Sequence, residues 1–216
     1  MHLCDRINNG MLFYEHGHTD PADIQKERQL QEERDHCKEG VFEYNNTHPR
    51  EDVRRQEIMR GLLGGCGQHF FFETPVHMAY RNHVHIGENF YSNFNLVLVD
   101  DGEIFIGDKV MIGPNVTFCT TGHPVYPLCR EMVAHYSPPI RIGNNVWIGA
   151  HSVVLPGVTI GDNAVIGAGS IVTRDIPANT VAVGNPCRVM REISERDKEY
   201  YFRDLKVDYP YTLREK

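Results

Sequence analysis

The stretch from residue 139 to residue 191 has a six-residue period, and this period limits the chain to very few folds. Glycine follows the periodic position in four of six repeats, and a small or β-branched residue usually stands four positions after it. The periodic positions are aliphatic, at Ile142, Ile148, Val154, Ile160, Ile166 and Val172. This spacing matches neither the period of a helix, about 3.6 residues, nor the two-residue alternation of an isolated strand. It is typical of parallel β-helices.

The repeat predicts a coil with flat faces, one hexapeptide to each face, in which the aliphatic residue points into a narrow core. We expect glycine to turn the corners, because glycine adopts positive φ without steric penalty. Ordinary short strands in a sandwich would not keep a six-residue frame over the whole run. The sequence therefore predicts a mainly β solenoid.

Composition indicates a globular protein and disfavours two kinds of partner. Of the 216 residues, 41% are hydrophobic and 24% are charged, and the formal net charge is −7. A negative balance disfavours general binding to nucleic acid or to an anionic membrane. No apolar run approaches the length of a membrane span, and the N-terminus lacks the apolar core of a signal peptide. The six cysteines form no CxxC pair, so we expect free thiols and a cytoplasmic location.

Residues 1–65 differ in composition from the rest and predict a small helical cap. The charged and Gln-rich stretch of residues 22–40 predicts one solvated helix. Pro49 fits the first position of a second helix, which Gly64-Gly65 would end. The apolar face of this second helix would consist of Ile58, Met59, Leu62 and Leu63.

We assign residues 66–191 to the solenoid, but its frame is disturbed in two places. Ile86 and Ile106 both precede glycine and stand twenty positions apart instead of eighteen, so two extra residues must bulge from the coil in the segment that contains Asn93 and Asp101. Bulges often redirect side chains at functional sites. Residues 119–139 leave the repeat altogether, and their prolines favour an ordered functional excursion.

The C-terminal part is expected to cap the coil. An exit turn follows Val183, and a basic and aromatic segment after it predicts a short helix. Residues 192–216 form this capping segment, and we expect residues 207–216 to be a loose tail.

These features together resemble the hexapeptide-repeat acetyltransferases, in the branch that holds the maltose, galactoside and nodulation acetyltransferases. The resemblance covers nearly the whole chain, and the pair Asp100-Asp101 is most like the galactoside enzymes. It implies a left-handed parallel β-helix, a homotrimer with active sites between subunits, and acetyl-CoA as the donor. The motifs are the hexapeptide run, YSNFNLVLVDDG at residues 91–102, Thr121-Gly122-His123-Pro124, and NPCRVMREI at residues 185–193.

The implied reaction moves an acetyl group to a hydroxyl of a galactoside-like or maltose-like sugar. A sugar hydroxyl does not ionise unaided, so its attack requires a general base, and histidine is the usual one. By the resemblance, His123 is this base and Asn93 stabilises the oxyanion. Asp101 and Glu15 bind the sugar, and Tyr91 offers an apolar face to its ring. No metal is required.

The resemblance also implies a coenzyme A site in a groove between the coils of neighbouring subunits. Small residues let a pantetheine arm approach the backbone, and arginines pair with phosphates. The matching positions are Ala150, Ala168, Thr173, Arg174, Arg188 and Arg191. Trp147 either flanks the pantetheine arm or is a packing residue, and the sequence leaves both open.

The acceptor contacts depart from the galactoside pattern, whereas the transfer residues are kept. Glu15 replaces an aspartate, Ala79 replaces a serine, and the loop segment 131–135 differs. An insertion near residues 16–26 changes the N-terminal cap beside the acceptor. The sequence therefore leaves the physiological acceptor open.

Three other functions stay as alternatives. A xenobiotic or antibiotic O-acetyltransferase would differ only in its acceptor. A non-catalytic trimeric scaffold is disfavoured because the base, the oxyanion donor and the sugar-binding carboxylate are all retained. A zinc enzyme like the γ-type carbonic anhydrases would need three histidines around an open position; His77, His83 and His85 are the candidates, although Thr-Gly-His-Pro is not a metal-ligand pattern.

Overall fold

The computed structural model describes residues 1–208, and most of these belong to a coil of short strands. The N-terminal helices are α1 (Leu3–Asn8), α2 (Pro21–Asn46) and α3 (Asp52–Leu62). The strands before the excursion are β1 (Gly65–Cys66), β2 (Phe70–Phe72), β3 (Val76–Met78), β4 (Val84–Ile86), β5 (Phe90–Ser92), β6 (Leu96–Val99), β7 (Ile104–Ile106), β8 (Met111–Ile112) and β9 (Thr117–Cys119).

The excursion holds one short helix, α4 (Pro127–Glu131), and the coil then resumes. Its later strands are β10 (Ile140–Ile142), β11 (Trp147–Ile148), β12 (Val153–Val154), β13 (Thr159–Ile160), β14 (Val165–Ile166), β15 (Ile171–Val172) and β16 (Thr180–Val183). The chain continues with β17 (Arg188–Glu192), α5 (Arg196–Glu199), β18 (Tyr200–Phe202) and β19 (Leu205–Lys206).

Successive strands of the coil visit three faces in rotation. The first face contains β1, β4, β7, β10 and β13, the second face β2, β5, β8, β11, β14 and β16, and the third face β3, β6, β9, β12 and β15. Strands within a face pair in parallel and in register, so that Ile106 pairs with both Ile86 and Ile142. The predicted parallel β-helix is confirmed.

The core follows the repeat. Each of the six periodic aliphatic residues is buried, with at most 4% of its surface exposed. The positions four residues further on are also buried, among them Ser152 and Ser170, whose hydroxyls donate to the carbonyls of Gly149 and Gly167. Burial of one aliphatic side chain contributes about 1.5–3 kcal/mol, so the repeat itself supplies the cohesion of the coil.

Glycine has a different role from the one we predicted. At the corner between the first and second faces, positive φ falls on Asn145, Asn163 and Asn179. Gly143 and Gly161, two residues before the first two of these asparagines, do not have positive φ. Asparagine tolerates this conformation. Its side chains also form a ladder between coils, in which Asn145 donates to Asn163 at 3.0 Å and Asn163 to Asn179 at 2.8 Å.

The repeat glycines are required by the close approach of neighbouring coils. A Cβ atom on Gly149 would lie 2.6 Å from the backbone nitrogen of Ala168. Replacing Gly149 with alanine should therefore destabilise the fold by about 2 kcal/mol, because backbone atoms cannot move aside. Gly61→Ala is the matched control, since its Cβ meets no atom within 4 Å and alanine favours a helix. Equal urea midpoints for the two variants would contradict this account.

The N-terminal helices confirm the predicted cap and correct the boundaries of both predicted helices. Helix α2 is longer than predicted and begins at Pro21, where Asp20 accepts a hydrogen bond from the Ala22 amide at 2.9 Å. Pro49 is not the first residue of α3. It occupies the second position of a turn closed by a hydrogen bond from Glu51 to His48, a position that suits proline. The predicted apolar face of α3 is buried.

The departures from the six-residue period fall at one corner, between the third and first faces. From Leu98 to Ile106, and from Met78 to Ile86 one coil earlier, the chain takes eight positions where Val154 to Ile160 takes six. We call residues 79–83, 99–103 and 119–139 the loop corner. The predicted bulge is confirmed at residues 99–103, but the prediction that it includes Asn93 is wrong, because Asn93 stands in a regular turn.

The C-terminal segment reverses direction after the last coil. The predicted turn lies at residues 184–187, and β17 then pairs antiparallel with β16, which the sequence did not predict. The predicted short helix is α5, and the hairpin β18–β19 follows it. The expected loose tail lies largely outside the described residues. Within residues 1–208, no helix combines the length and the apolar character that a membrane span requires.

Candidate functional site

His123 lies on the excursion, at the loop corner, with its imidazole exposed to solvent. Its Nδ1 is 2.9 Å from the carbonyl oxygen of Ala134. Because a carbonyl can only accept a hydrogen bond, Nδ1 carries the proton and Nε2 keeps its lone pair. Paired backbone hydrogen bonds between Gly122 and Tyr136, both 2.9 Å, hold the two ends of the excursion together. The loop thus presents the tautomer that a general base needs.

Glu15 is the centre of a charged group beside this loop. Its carboxylate accepts hydrogen bonds from Arg34, at 2.8 and 3.0 Å, and from the Tyr80 hydroxyl at 2.7 Å. Burial alone would raise the pKa of Glu15, but its interactions with His135, Tyr80 and Arg34 outweigh burial and lower the pKa to about 2. Glu15 is therefore a carboxylate at any physiological pH.

His135 connects Glu15 to the loop of His123. It is 4% exposed, its Nε2 lies 3.5 Å from Glu15, and its ring centroid is 5.8 Å from that of His123. Its backbone pairs with Phe13 through hydrogen bonds of 2.9 and 3.0 Å. Burial would lower the pKa of His135, but Glu15 and the Val133 carbonyl raise it. The N-terminal segment and the excursion are thereby joined.

The adjacent residues Asp100 and Asp101 have different environments. Asp101 accepts a hydrogen bond from the Thr121 hydroxyl at 2.5 Å and lies 3.9 Å from Arg34, so it belongs to the same charged group as Glu15. Asp100 is fully buried and accepts a hydrogen bond from the Ala79 amide at 2.7 Å. Burial raises the pKa of Asp100 to about 6 despite this donor. Asp100 ties the two bulges of the loop corner to each other.

Asn93 lies at a different corner, between the second and third faces. Its backbone amide donates to Ile112 at 2.9 Å, and its Oδ1 accepts from the Phe94 amide at 2.8 Å. Its Nδ2 has no hydrogen-bond partner within residues 1–208, and it is free to donate to a ligand. Ala150 and Ala168 stand at this same corner in later coils. We call it the donor corner.

Two aromatic residues of the predicted site lie on the outer side of the second face, which leads to the donor corner. Tyr91 is 37% exposed and stacks on Phe71 with 6.1 Å between ring centroids. Trp147 is 52% exposed. Its strand neighbours at the same register are Met111 and Val165, so the outer surface of this face is apolar.

The predicted site residues therefore fall into two groups. His123, Asp101 and Glu15 are connected at the loop corner. Asn93, Ala150 and Ala168 are at the donor corner. Among the contacts of residues 1–208, no hydrogen bond, ion pair or ring contact joins Asn93 to His123. A single copy of the chain therefore does not bring the predicted base and the predicted oxyanion donor together.

The predicted coenzyme A residues near the end of the coil are exposed, but they differ in whether another group of the chain already binds them. Thr173 and Arg174 follow β15 and return to the side of the loop corner, and Arg174 has no carboxylate partner within the described chain. Arg188 donates to the Cys187 carbonyl at 2.7 Å. Arg191 is bound by both carboxylate oxygens of Asp197, each at 2.7 Å.

Three residues of the charged group were missed by sequence reasoning, namely Arg34, Tyr80 and His135. Arg34 is one of many charged residues in α2, and its partners Glu15 and Asp101 are remote in sequence. Tyr80 lies in the earlier bulge, and the eight-residue spacing from Met78 to Ile86 could have drawn attention to it.

The structure does not support the zinc alternative. His77 lies on the third face, His83 bonds to the Asp100 carbonyl at 2.6 Å, and His85 bonds to Glu103 at 2.6 Å. None of these histidines belongs to a cluster of potential metal ligands in residues 1–208. One cluster lies in the site itself and consists of Glu15, Asp101 and His135. Both carboxylates of this cluster already pair with Arg34.

Comparison with known proteins identifies similar sequences over almost the whole chain. The family model "maltose acetyltransferase hexapeptide capping motif" matches residues 10–67, and "bacterial transferase hexapeptide (six repeats)" matches residues 139–174. The galactoside O-acetyltransferase of Escherichia coli (strain K12) is 50% identical over 208 residues, which cover 96% of this chain and 98% of that protein.

Solved structures agree with the sequence comparison. A galactoside acetyltransferase in complex with coenzyme A superimposes with a TM-score of 0.88 at 50% identity, covering 97% of this chain and all of the other. A maltose O-acetyltransferase from Clostridium difficile 630 superimposes with a TM-score of 0.82 at 41% identity, covering 90% of this chain and 99% of that one.

Proposed function

The chain belongs to the hexapeptide-repeat acetyltransferases, and from this we propose that it moves the acetyl group of acetyl-CoA to a sugar hydroxyl, with His123 as the general base. The fold is the left-handed parallel β-helix of this family. The observation that supports the role of His123 is its fixed tautomer beside the group of Glu15 and Asp101. These carboxylates can accept hydrogen bonds from neighbouring hydroxyls of the sugar.

In the proposed mechanism, Nε2 of His123 takes the proton of the acceptor hydroxyl as that oxygen attacks the thioester carbonyl. Negative charge develops on the carbonyl oxygen, where the free Nδ2 of Asn93 donates a hydrogen bond. The imidazolium then returns the proton to the departing sulfur, so His123 ends as it began. A positioned general base contributes about 10²- to 10⁴-fold to rate. No step requires a metal.

We propose a homotrimer with active sites between subunits, because the base and the oxyanion donor lie at different corners of one chain. The third face connects the loop corner to the donor corner. Three copies with this face toward a common axis would place each loop corner against the donor corner of the next copy. The outer ladder of this face is largely apolar, and its members are half-buried except for the exposed His77. They stand in register as His77, Val97, Thr117, Val153 and Ile171.

The same arrangement would complete the donor site. Small residues at the donor corner, Ala150 and Ala168, fit a pantetheine arm that approaches the backbone. Arg174 would come from the side of the loop corner and pair with a phosphate. Thr173 beside it, Arg188 and Arg191 on β17, and Trp147 on the second face would complete the groove.

The arginines of the donor site should differ in their effect on coenzyme A affinity. We expect Arg174→Ala to weaken binding roughly two- to fivefold, because an exposed charge pair contributes up to about 1 kcal/mol. Arg191→Ala should have a smaller effect, since Asp197 already neutralises Arg191. Calorimetric titration with coenzyme A measures both. A larger loss for Arg191→Ala would contradict this assignment.

The function is tested by incubating the protein with acetyl-CoA and a panel of acceptors while free thiol is followed. The panel contains galactosides, maltose, nucleotide sugars and hydroxylated antibiotics. We expect turnover with a sugar. Turnover with antibiotics alone would favour the xenobiotic alternative, and the absence of both turnover and coenzyme A binding would favour a non-catalytic scaffold.

We also propose a cytoplasmic location. All six cysteines are free thiols, as is usual in a reducing compartment.

A further inference from the structure

A cavity of about 390 Å³ lies beside Asp101, between the N-terminal helices and the first face. Lys26 of α2 and Arg141 of β10 line it, as do Ser137 of the excursion and Phe105 of β7. Asp101 also lines it, so the cavity is continuous with the charged group of the proposed acceptor site. It could therefore receive a part of the acceptor that extends beyond the reacting hydroxyl.

Two cations that line the cavity, Lys26 and Arg141, take part in no ion pair within the described chain. Neither Lys26 nor Arg141 has a carboxylate partner within residues 1–208. The guanidinium of Arg141 lies 4.4 Å above the Phe105 ring, which orients it while leaving its N–H groups available. The chain as a whole has a net charge of −7, so two unpaired cations in one cavity are not a consequence of composition.

The carboxylates that line the cavity are already engaged. Asp101 accepts a hydrogen bond from Thr121 at 2.5 Å and faces Arg34. Glu103 bonds to His85 at 2.6 Å. No ion pair within residues 1–208 joins either carboxylate to Lys26 or Arg141, so the N–H groups of both cations stay available to an anionic ligand.

A buried hydroxyl in the cavity also lacks a partner. The side chain of Ser137 is 3% exposed, and its Oγ makes no hydrogen bond. Buried hydroxyls are nearly always satisfied in folded proteins. Rotation of this hydroxyl toward the cavity would let it donate to a ligand oxygen that also pairs with the two cations.

We propose that this cavity binds an anionic substituent of the acceptor, a carboxylate or a phosphate, so that the preferred acceptor is a sugar acid or a sugar phosphate. Lysine and arginine together are well suited to such groups. Lys26 ends the insertion that we noted near residues 16–26, which gives that insertion a role in acceptor binding. The inference rests on the proposed function, because Asp101 is shared by the cavity and the acceptor site.

The test compares matched neutral and anionic acceptors, using methyl galactoside, galacturonic acid and galactose 1-phosphate. We expect wild-type kcat/KM to be at least tenfold higher for one of the anionic sugars than for methyl galactoside. Lys26→Gln and Arg141→Gln should each lower the ratio of kcat/KM for the anionic sugar to kcat/KM for the neutral sugar roughly tenfold, since a charge-assisted hydrogen bond is lost. The kcat/KM for the neutral sugar should stay within about twofold of the wild type. Arg28→Gln is the control, because Arg28 is on the same helix outside the cavity.

A calorimetric titration of the anionic sugars separates this inference from the proposed function. Binding that Lys26→Gln weakens and Arg28→Gln does not weaken supports the site, whatever the rate of turnover. Equal kcat/KM for neutral and anionic sugars, with no change of the ratio in either variant, overturns the anionic site and leaves the acetyltransferase intact. A loss of coenzyme A affinity in Lys26→Gln and Arg141→Gln, with acceptor binding unchanged, also overturns it.

Discussion

His123→Ala is expected to lower acetyl transfer by at least about 10²-fold, the lower end of what a positioned general base contributes. The variant loses the only proton acceptor that we assign to the acceptor hydroxyl, whereas the donor site is untouched. Coenzyme A affinity should therefore stay within about twofold of the wild type. Release of free thiol measures the rate, and calorimetry measures the affinity.

His36→Ala is the control for this variant, because His36 is an exposed histidine on α2 away from the loop corner. It should keep the wild-type rate. If His123→Ala retained most of its activity, the general base would have to be another group. If it lost coenzyme A affinity as well, the role of His123 would be structural.

The coil was predictable because its determinants are local. Each hexapeptide places one aliphatic residue inward, and residues such as Ile148 and Ile160 are fully buried. The role of glycine was not predictable in the same way. Gly149 is required by the backbone of Ala168 in the next coil, so the group that excludes a side chain lies nineteen residues away and comes close only when the coils are stacked.

Only part of the candidate site was predictable, because only part of it is determined by local sequence. His123 belongs to a short recognisable motif, but the groups around Glu15 come from separate elements. Arg34 lies on α2 and Tyr80 in a bulge of the coil, and no local pattern links them. The interruptions of the period did mark the loop corner, where His123 and Asp101 lie, but they did not mark Asn93.

Val153→Lys is expected to convert the proposed trimer to monomers and to abolish most of the transfer activity. Val153 is in the outer ladder of the third face, between Thr117 and Ile171. Near a threefold axis the substitution would place three ammonium groups close together in an apolar interface, which costs several kcal/mol of desolvation and repulsion. Light scattering after gel filtration measures the oligomer. Val153→Thr has almost the same shape and should remain trimeric.

Mixed oligomers test whether each active site takes His123 and Asn93 from different subunits. His123→Ala and Asn93→Ala should each be nearly inactive alone. If each site takes His123 from one subunit and Asn93 from its neighbour, unfolding the two variants together and refolding them in equal amounts should restore about a quarter of the wild-type activity, because a quarter of the randomly formed interfaces in a cyclic trimer pair two intact residues. This fraction follows from random mixing of the two variants. No chain in the mixture carries both residues, so any recovered activity must come from sites shared by two subunits. A mixture as inactive as its parents, in particles of trimer mass, would mean that both residues act within one chain, and the proposed arrangement of the two corners would be wrong.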